Sequence, residues 1–577
     1  MTIKYTIPYG DSSFETFNKE NAAFVDKTDF IEVIDHLDTK YPVLLRPRRF
    51  GKTTFVQMLL CFYDISFKDK YNEIFKGTNI IGKNLPTHNT YHVINFDFSG
   101  VSGDNSKDLI SNFNHKLAEA FTNFNRRYPD FNFNCEQVEL SPSAFIGKFF
   151  SHYEMYAKAK NLYILIDEYD NFANDVLSND RDLFKTITQS NGFLKDFYKC
   201  IKTFTDTVVA KTFITGVSSV SLDSLTSGFN IAENVTCDPN LNEFAGFTKD
   251  ELIGLIEKLV DTKALNTTAE NIAEIMRQAY NGYAFCPEAK HTLFNSSMCL
   301  NYIDYISLKK TIENPERVLD PACAFDKSKV ADIISFTPKN VLKLVASEFE
   351  STGEIVISEL AQSINLNQLD RYDLQTSLSV LYYLGYLTIK NDGVGSGICL
   401  TYPNKMMKYM FELCFINALI PKIEDDENCI FDITSMLRGN PDLKGFIDSV
   451  TEYLSLRITN QHLLGFNENT IKVLVRAKLE DLKMLAVNTE QKLTVPMVGE
   501  KFADLVVDNQ KGTYYLFEFK YFSKAKAQQH PNILQEKIDE ATEQINCYKK
   551  ALEFEGKTLY SYIAIFESIN CVHFERL

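Results

Sequence analysis

Residues 41–63 read YPVLLRPRRFGKTTFVQMLLCFY, and the order of patterns in this stretch decides the fold of the first part of the chain. Residues 43–45 form a short apolar run, and apolar residues recur at three and four positions across 56–63. These patterns predict a buried strand, a loop, and a helix that begins near Lys52 or Thr53. Such a helix N-terminus offers unpaired N–H groups and a positive dipole end to a phosphate.

The loop itself, RPRRFGKTT, ends as a phosphate-binding loop does but begins differently. In the pattern G-x-x-x-x-G-K-[ST] the first glycine falls at Arg46, and an arginine lacks the backbone freedom of glycine. Lys52 is expected to reach the β- and γ-phosphates, and Thr53 to hold Mg²⁺. A basic turn that caps a buried helix is the alternative that this stretch alone leaves open. The residues expected to contact the nucleotide are Arg46, Pro47, Arg48, Arg49, Phe50, Gly51, Lys52, Thr53 and Thr54.

A second signal lies at 162–166, where an apolar run ends in Asp167 and Glu168. A buried strand with acids at its carboxyl end is what the second motif of an ATP-hydrolysing site needs. Asp167 is expected to hold Mg²⁺ through water, and Glu168 to orient or polarise the attacking water. A solvated strand end, the alternative, does not favour two acids directly after five apolar residues.

Two further apolar runs, 91–100 and 207–219, fit parallel strands with helical patterns between them. This alternation predicts that residues 1–240 form an α/β P-loop NTPase domain, a parallel sheet with flanking helices. Thr215, at the end of the second run, is expected in the nucleotide site as a sensor of the γ-phosphate. A structural threonine at a strand end is an equal alternative.

The middle region, 241–405, is predicted to be mostly helical. Within it, 376–404 gives an apolar helix followed by two alternating runs around a Gly/Asp-rich turn, which is the pattern of a winged helix. Such a module contacts DNA or closes over the nucleotide. The second reading is favoured because Lys390 and Lys405 are its only nearby cations in the sequence.

The C-terminal region, 406–577, contains GEKFADLVVDNQKGTYYLFEFKY at 499–521, which predicts a β-hairpin. If Val507 pairs with Tyr514, Asp504 lies opposite Phe517. That register places Asp504 beside Glu518.

Glu518 and Lys520 are two positions apart and so share one face of a strand. Together with Asp504 they gather two carboxylates and an ammonium group in an otherwise apolar sheet. Asp504 and Glu518 are expected to bind Mg²⁺, with the Phe519 carbonyl as a third ligand, since this ion prefers oxygen ligands. The metal and Lys520 together favour hydroxide attack on a phosphodiester. An edge strand with protective charges is the alternative.

With these motifs in place, the chain resembles the AAA-ATPase-like proteins of prokaryotes that carry a C-terminal PD-(D/E)xK nuclease-like domain. Their phosphate loop commonly begins with Arg-Pro-Arg-Arg-Phe-Gly-Lys. One departure is Ala284, which stands where the family usually has an arginine. The matching segments are IPYGDSSFETF (7–17), AAFVDKTDFI (22–31), RPRRFGKT (46–53), LIDEYD (165–170), FITGVSSVSLDSLTSGFN (213–230), NEFAGFTKDEL (242–252) and YNGYAF (280–285).

The resemblance implies a restriction-endonuclease-like α/β fold for 406–577. It also implies a Gln-x-x-x-Tyr pair on the helix after the hairpin, which Gln544 and Tyr548 match, and Gln544 is taken as catalytic. A further acid from the helix before the hairpin is expected to be Glu468, with Glu480 as the alternative. The implied cofactors are ATP and Mg²⁺, with Mn²⁺ as a substitute at the nuclease-like site, and the implied partner is nucleic acid, DNA in preference to RNA.

Composition limits the partners. The formal net charge of −16 opposes long-range attraction of nucleic acid, so a local basic patch must supply it. Relatives usually carry Gly-Arg before the aspartate, where this chain has Lys501 and Phe502. The cations expected to form the patch are Lys501, Lys520, Lys524, Lys526 and His530.

The 12 cysteines are scattered singly, and no stretch of the sequence predicts a membrane span. A cytoplasmic location without membrane contact is therefore expected. Two functions remain open. One is an ATP-controlled, Mg²⁺-dependent nuclease. The other is a nucleotide-dependent switch whose nuclease-like domain binds nucleic acid or protein without cleavage. The intact acids and lysine of the hairpin favour the nuclease.

Overall fold

The structure is a computed structural model that describes most of the chain. The described residues are 5–83, 85–103, 105–157, 159–171, 192–218, 228–315, 318, 345, 348–349, 352–361, 374–390, 397–411, 443–457, 467–480, 485–510 and 512–577. They separate into two compact units, Met1–Lys408 and Tyr409–Leu577. The predicted boundary between 240 and 241 stays a prediction.

A five-stranded parallel sheet forms the centre of the first unit, in the order β2-β3-β4-β1-β5. The predicted parallel sheet with flanking helices is thus confirmed. Because parallel strands end at a common edge, the residues that follow β1, β3 and β4 lie near one another. The strands are β1 (Pro42–Leu45), β2 (His92–Asp97), β3 (Leu162–Asp167), β4 (Val209–Gly216) and β5 (Glu233–Asn234).

The helices of this unit cover the sheet with their apolar faces. α3 begins at Lys52, as predicted, and buries most of its side chains, since it lies against β2 and β3. The described helices of the unit are α1 (Phe14–Phe17), α2 (Asp29–Asp35), α3 (Lys52–Tyr63), α4 (Tyr71–Ile74), α5 (Ser106–Arg127), α6 (Pro142–Ala157), α7 (Phe193–Thr203), α8 (Lys249–Leu259), α9 (Ala269–Tyr280), α10 (Ser296–Lys309) and α11 (Leu374–Tyr383).

A small antiparallel sheet follows in the order β6-β8-β7, from β6 (Glu354–Ile357), β7 (Thr388–Ile389) and β8 (Ile398–Thr401). α11 lies between β6 and β7 in the chain, so the predicted helix and the hairpin of β7 and β8 are present, whereas 391–396 lie outside the described residues. Gly385, after α11, leaves no room for a side chain, because a Cβ there would lie 2.9 Å from the Pro47 Cβ. This module therefore packs against the start of the phosphate loop, which supports a packing role.

The second unit contains a mixed sheet in the order β13-β12-β11-β10-β9, with β11 parallel to β12 and the other pairs antiparallel. One apolar cluster joins the sheet to α12 and α13, and another joins it to α15. Its elements are α12 (Lys444–Arg457), α13 (Glu468–Glu480), β9 (Ala486–Val495), β10 (Gly499–Asp508), β11 (Thr513–Phe522), α14 (Lys524–Gln529), α15 (Ile533–Tyr548), β12 (Thr558–Glu567) and β13 (Asn570–Arg576).

The predicted hairpin is confirmed as β10 and β11, but its register was predicted one residue off. Val507 pairs with Tyr515 and Leu505 with Phe517. The same register places Asp504 opposite Glu518, so the two carboxylates are direct cross-strand neighbours. Within the described part of the chain, no helix has the length and apolar character needed to cross a membrane.

Candidate functional site

A cavity of about 600 Å³ lies beside the phosphate loop. The cavity is lined by the N-terminal segment 8–27, the loop with the start of α3, residues that follow β2 and β3, and residues 244–247 and 296–300. Those that follow the two strands are Ser99, Gly100, Glu168 and Asn171. Of the loop residues predicted to contact a nucleotide, those that line the cavity are Arg48, Arg49, Phe50, Gly51, Lys52, Thr53 and Thr54. Its size suits a nucleotide, because small-molecule sites typically enclose about 300–1,000 Å³.

The backbone of the loop explains why the missing first glycine is tolerated. Two loop residues adopt left-handed conformations, Arg49 with φ 70° and Gly51 with φ 94°. Arg46 is not among the residues with positive φ, so its position does not need a glycine. Gly51 supplies the left-handed turn at the N-cap of α3, which directs the first N–H groups of that helix toward the cavity.

Arg46 has structural contacts and does not line the cavity, and its contact with the nucleotide stays a prediction. Its side chain is only 1% exposed. Nη1 donates to the carbonyl oxygens of Leu45 at 2.8 Å and Thr236 at 2.9 Å. Nη2 donates to the Leu241 carbonyl at 2.7 Å, and the guanidinium carbon lies 4.2 Å from the Phe285 ring centroid. Burial lowers its pKa to about 10, which still leaves the group charged at neutral pH.

Pro47 is also absent from the lining of the cavity, and its contact with the nucleotide stays a prediction. Its carbonyl oxygen accepts a hydrogen bond from Lys52 Nζ at 3.2 Å. Lys52 is 4% exposed, and Nζ lies 3.8 Å from Glu168 Oε1. A buried ammonium group with these two partners sits at the start of a helix, where a bound phosphate is also stabilised.

Thr53 lies close enough to Asp167 for its hydroxyl to lower the pKa of this carboxyl, against the larger effect of burial. Asp167 is 2% exposed, and burial, followed by the neighbouring Glu168 charge, raises its pKa to about 7. A carboxylate and a hydroxyl are oxygen donors that suit Mg²⁺, and a divalent cation relieves the cost of burying the carboxylate. The pair therefore fits this ion.

Thr215 fits the structural alternative better than the sensor role. Its hydroxyl donates to the Leu44 carbonyl at 2.6 Å, and the residue is 1% exposed. It joins β4 to β1 and does not line the cavity. Ala284, at the position of the family arginine, is also buried, with its N–H donated to Thr388 Oγ1 at 2.8 Å. Residue 284 is therefore buried against Thr388 within the middle region.

The N-terminal wall of the cavity was not predicted from residue patterns. Segment 8–25 has no strong periodicity, and only the family resemblance singled it out. The buried Lys27 fixes this wall, because Nζ contacts both carboxylate oxygens of Glu251 at 2.7 and 2.8 Å. Glu251 also accepts from the Thr248 N–H in the capping box that starts α8. The capping pattern in the sequence was the one available signal.

In the second unit, Asp504, Glu518 and Lys520 converge on one buried patch. Lys520 Nζ lies 2.8 Å from Glu518 Oε1, and Glu518 is 2% exposed. The Phe519 N–H donates to Asp504 Oδ2 at 2.9 Å, which fixes one carboxylate against the neighbouring strand. The role of the Phe519 carbonyl as a metal ligand stays a prediction.

The electrostatics of this patch suit a divalent cation. Burial, followed by the charge of Asp504, raises the pKa of Glu518 to about 7, although Lys520 opposes the shift. Glu518 Oε2 is buried and has no hydrogen-bond partner within the described part of the chain. An orphaned carboxylate oxygen beside a second carboxylate is a fitting donor set for Mg²⁺ or Mn²⁺.

Helix α15 brings the predicted pair to this patch. The Gln544 Oε1 atom is buried and finds no donor within the described residues, and Tyr548 is 6% exposed. Charges on Glu518 and Asp504 contribute to the raised pKa of Tyr548, after the larger effect of burial. Gln544 and Tyr548 therefore lie on the side of the helix that meets the acids.

Lys472 is a site residue that the sequence did not reveal. Nζ lies 2.5 Å from Asp504 Oδ1 and 3.1 Å from Glu468 Oε1. Glu468, the predicted further acid, thus reaches the site through this lysine, while the Glu480 side chain lies outside the described residues. Burial lowers the pKa of Lys472, but Asp504 and Glu468 outweigh it and raise the pKa to about 12. A spacing of four from Glu468 is common for pairs on a helix surface, so the sequence gives no sign of this role.

Only part of the predicted basic patch is exposed to solvent. Lys520 is buried and paired with Glu518, so it is not a surface cation. Lys501, Lys524, Lys526 and His530 are exposed. These four side chains are accessible to a polyanion.

Comparison with known proteins defines the class of each unit. Residues 8–226 match the family model described as a predicted AAA-ATPase, and residues 467–576 match that of the PD-(D/E)XK nuclease superfamily. The chain thus contains an AAA-ATPase-like domain and a C-terminal PD-(D/E)XK nuclease-like domain, which confirms the resemblance that the motifs indicated.

The chain is also similar to a curated protein whose name states no activity. The "Uncharacterized protein in vnfD 5'region" of Azotobacter chroococcum mcd 1 is 26% identical over 296 residues. The alignment covers 50% of this chain and 50% of that protein. The chain therefore spans about half the length of this relative.

Proposed function

We propose that the chain binds and hydrolyses ATP with Mg²⁺ and that its C-terminal domain is a metal-dependent nuclease, acting on DNA in preference to RNA. Nucleotide state is proposed to control cleavage. The observation that carries this proposal is the convergence of Asp504, Glu518 and Lys520 on one buried patch in a chain that also carries an ATPase-like cavity.

At the cavity, the N–H groups at the start of α3 hold the phosphates, and Lys52 exchanges its contact with the Pro47 carbonyl for phosphate oxygens. Thr53 and Asp167 hold Mg²⁺. Glu168 polarises the attacking water, because its carboxylate lines the cavity beside Lys52. Glu168→Gln is therefore expected to keep ATP binding and slow hydrolysis.

At the second site, Asp504 and Glu518 hold the divalent cation. When bound, that ion supplies Lewis-acid activation of the phosphodiester and of a water. Lys520 lies beside Glu518 and stabilises the charge that develops on the phosphate oxygens. Gln544 positions the attacking water or the phosphate, since its buried oxygen has no other described partner.

A second candidate is a nucleotide-dependent switch whose nuclease-like domain binds nucleic acid or protein without cleavage. One observation favours it. Within the described ranges, no group of three His, Cys, Asp or Glu side chains is arranged to hold a metal ion. At Asp504, one carboxylate oxygen is already in contact with the Lys472 ammonium group.

The test is cleavage of end-labelled single- and double-stranded DNA and RNA, with Mg²⁺ or Mn²⁺ and with or without ATP. Wild type is compared with Asp504→Ala, which guards against a contaminating nuclease. We expect cleavage that requires Asp504 and that changes with ATP. If no substrate is cut under any condition, the nuclease proposal fails and the switch takes its place.

A further inference from the structure

Lys472 lies between two acids, Asp504 and Glu468. Its Nζ lies 2.5 Å from Asp504 Oδ1 and 3.1 Å from Glu468 Oε1. Asp504 Oδ2 accepts the Phe519 N–H at 2.9 Å, so both oxygens of this carboxylate already have partners. Glu518 Oε2 has none among the described residues.

The contact differs from an ordinary pair on a helix surface. The Lys472 side chain is 16% exposed and that of Asp504 is 12% exposed, so the ammonium group is largely withdrawn from water. Exposed pairs four apart on a helix contribute little to stability. A largely buried ammonium group that bridges two carboxylates from different elements is held much more firmly.

The charged side chains around the patch limit how many divalent cations it can hold. Four carboxylates surround it, from Glu468, Asp504, Glu518 and Glu540, and three ammonium groups face them, from Lys472, Lys520 and Lys537. Four negative and three positive charges leave a net charge of −1, which one divalent cation already exceeds. A second divalent cation would have to enter against an excess of positive charge.

We propose that Lys472 is a built-in monovalent cation that occupies the place of a second divalent ion between Glu468 and Asp504. The C-terminal site then takes one metal ion, on Asp504 and Glu518, and Lys472 excludes a second. This inference rests on the proposed nuclease function and adds to it the number of metal ions and the residue that sets that number.

The experiment counts the Mn²⁺ ions bound by the nucleotide-free full chain, from the electron paramagnetic resonance signal of free Mn²⁺ during titration. Wild type, Asp504→Ala, Lys472→Met and the double variant are compared. Lys472→Arg keeps the charge, and Lys501→Met removes an exposed lysine from the same strand as Asp504. Lys472→Gln replaces the methionine variant if circular dichroism shows that the latter is not folded.

We expect one ion in wild type that Asp504→Ala loses, and a second ion in Lys472→Met that the double variant loses. Lys472→Arg and Lys501→Met keep the wild-type number. The ion that wild type already binds is expected to bind at least about tenfold more tightly in Lys472→Met, because a positive charge a few ångströms away is gone.

An unchanged number of ions in Lys472→Met overturns the inference while leaving the nuclease proposal intact. Conversely, if wild type binds no Asp504-dependent ion but Lys472→Met binds one, the inference holds and the metal-dependent nuclease fails. Absence of such an ion from both proteins overturns both.

Discussion

Replacing Arg46 by methionine is expected to destabilise the first unit without removing a nucleotide contact. Methionine keeps most of the stem volume but leaves the Leu45, Thr236 and Leu241 carbonyls without their donor. Each buried group left unpaired costs about 1–3 kcal/mol. Relief of the cost of burying the guanidinium offsets part of this sum. The expected loss is therefore about 3–5 kcal/mol.

Scanning calorimetry measures this loss. A loss of this size lowers the Tm of the first unit by about 4–6 °C, and unfolding of the second unit serves as an internal reference. The matched control is Arg48→Met. Arg48 lines the cavity, and Nη2 donates to Asn171 Oδ1 at 3.0 Å. We expect this control to keep the Tm within about 1 °C, because the group is only partly buried, and to weaken ATP binding instead.

The reverse pattern refutes the reasoning. If Arg46→Met keeps the wild-type Tm but loses ATP affinity, the guanidinium is a ligand of the nucleotide and its three carbonyl contacts belong only to the nucleotide-free chain.

Three further predictions concern the two sites. Lys52→Ala should abolish ATP binding in calorimetric titration while circular dichroism stays unchanged, and equal affinity for both proteins contradicts the nucleotide site. Asp504→Ala should lose both Mn²⁺ binding and cleavage, whereas Lys520→Ala should keep Mn²⁺ and cut about a hundredfold more slowly, a loss on the order of 3 kcal/mol. Mn²⁺ affinity should rise between pH 6 and pH 8. Burial raises the pKa of Glu518 to about 7, so the proton that competes with the metal is held below that pH and lost above it. Constant affinity over this range contradicts the assignment of Glu518.

The sequence predicted the elements whose patterns are local. The strand, loop and helix around Lys52 and the hairpin of β10 and β11 follow from apolar runs and a polar turn. The hairpin register did not follow. Because both strands are buried on both faces near Val506 and Leu516, a shift by one residue leaves the apolar pattern equally good.

The roles that were missed depend on contacts far apart in the sequence. Arg46 is tied to carbonyls 190 and 195 residues away, which no local motif reveals. Lys472 reads as an exposed partner of Glu468 four residues earlier, and only the packing of α13 near β10 brings it to Asp504. Spacing therefore identifies which residue types are present, while the fold decides which of them meet.

The ion pair between Lys27 and Glu251 also sets an order of events during synthesis. These residues are 224 positions apart, so the N-terminal wall of the cavity cannot be secured until the ribosome has made α8. At about 5–20 residues per second, that delay is about 10–45 seconds. The strands that carry Asp504 and Glu518 emerge later still. The newborn polypeptide thus completes the parts of its nucleotide cavity before its nuclease-like sheet exists.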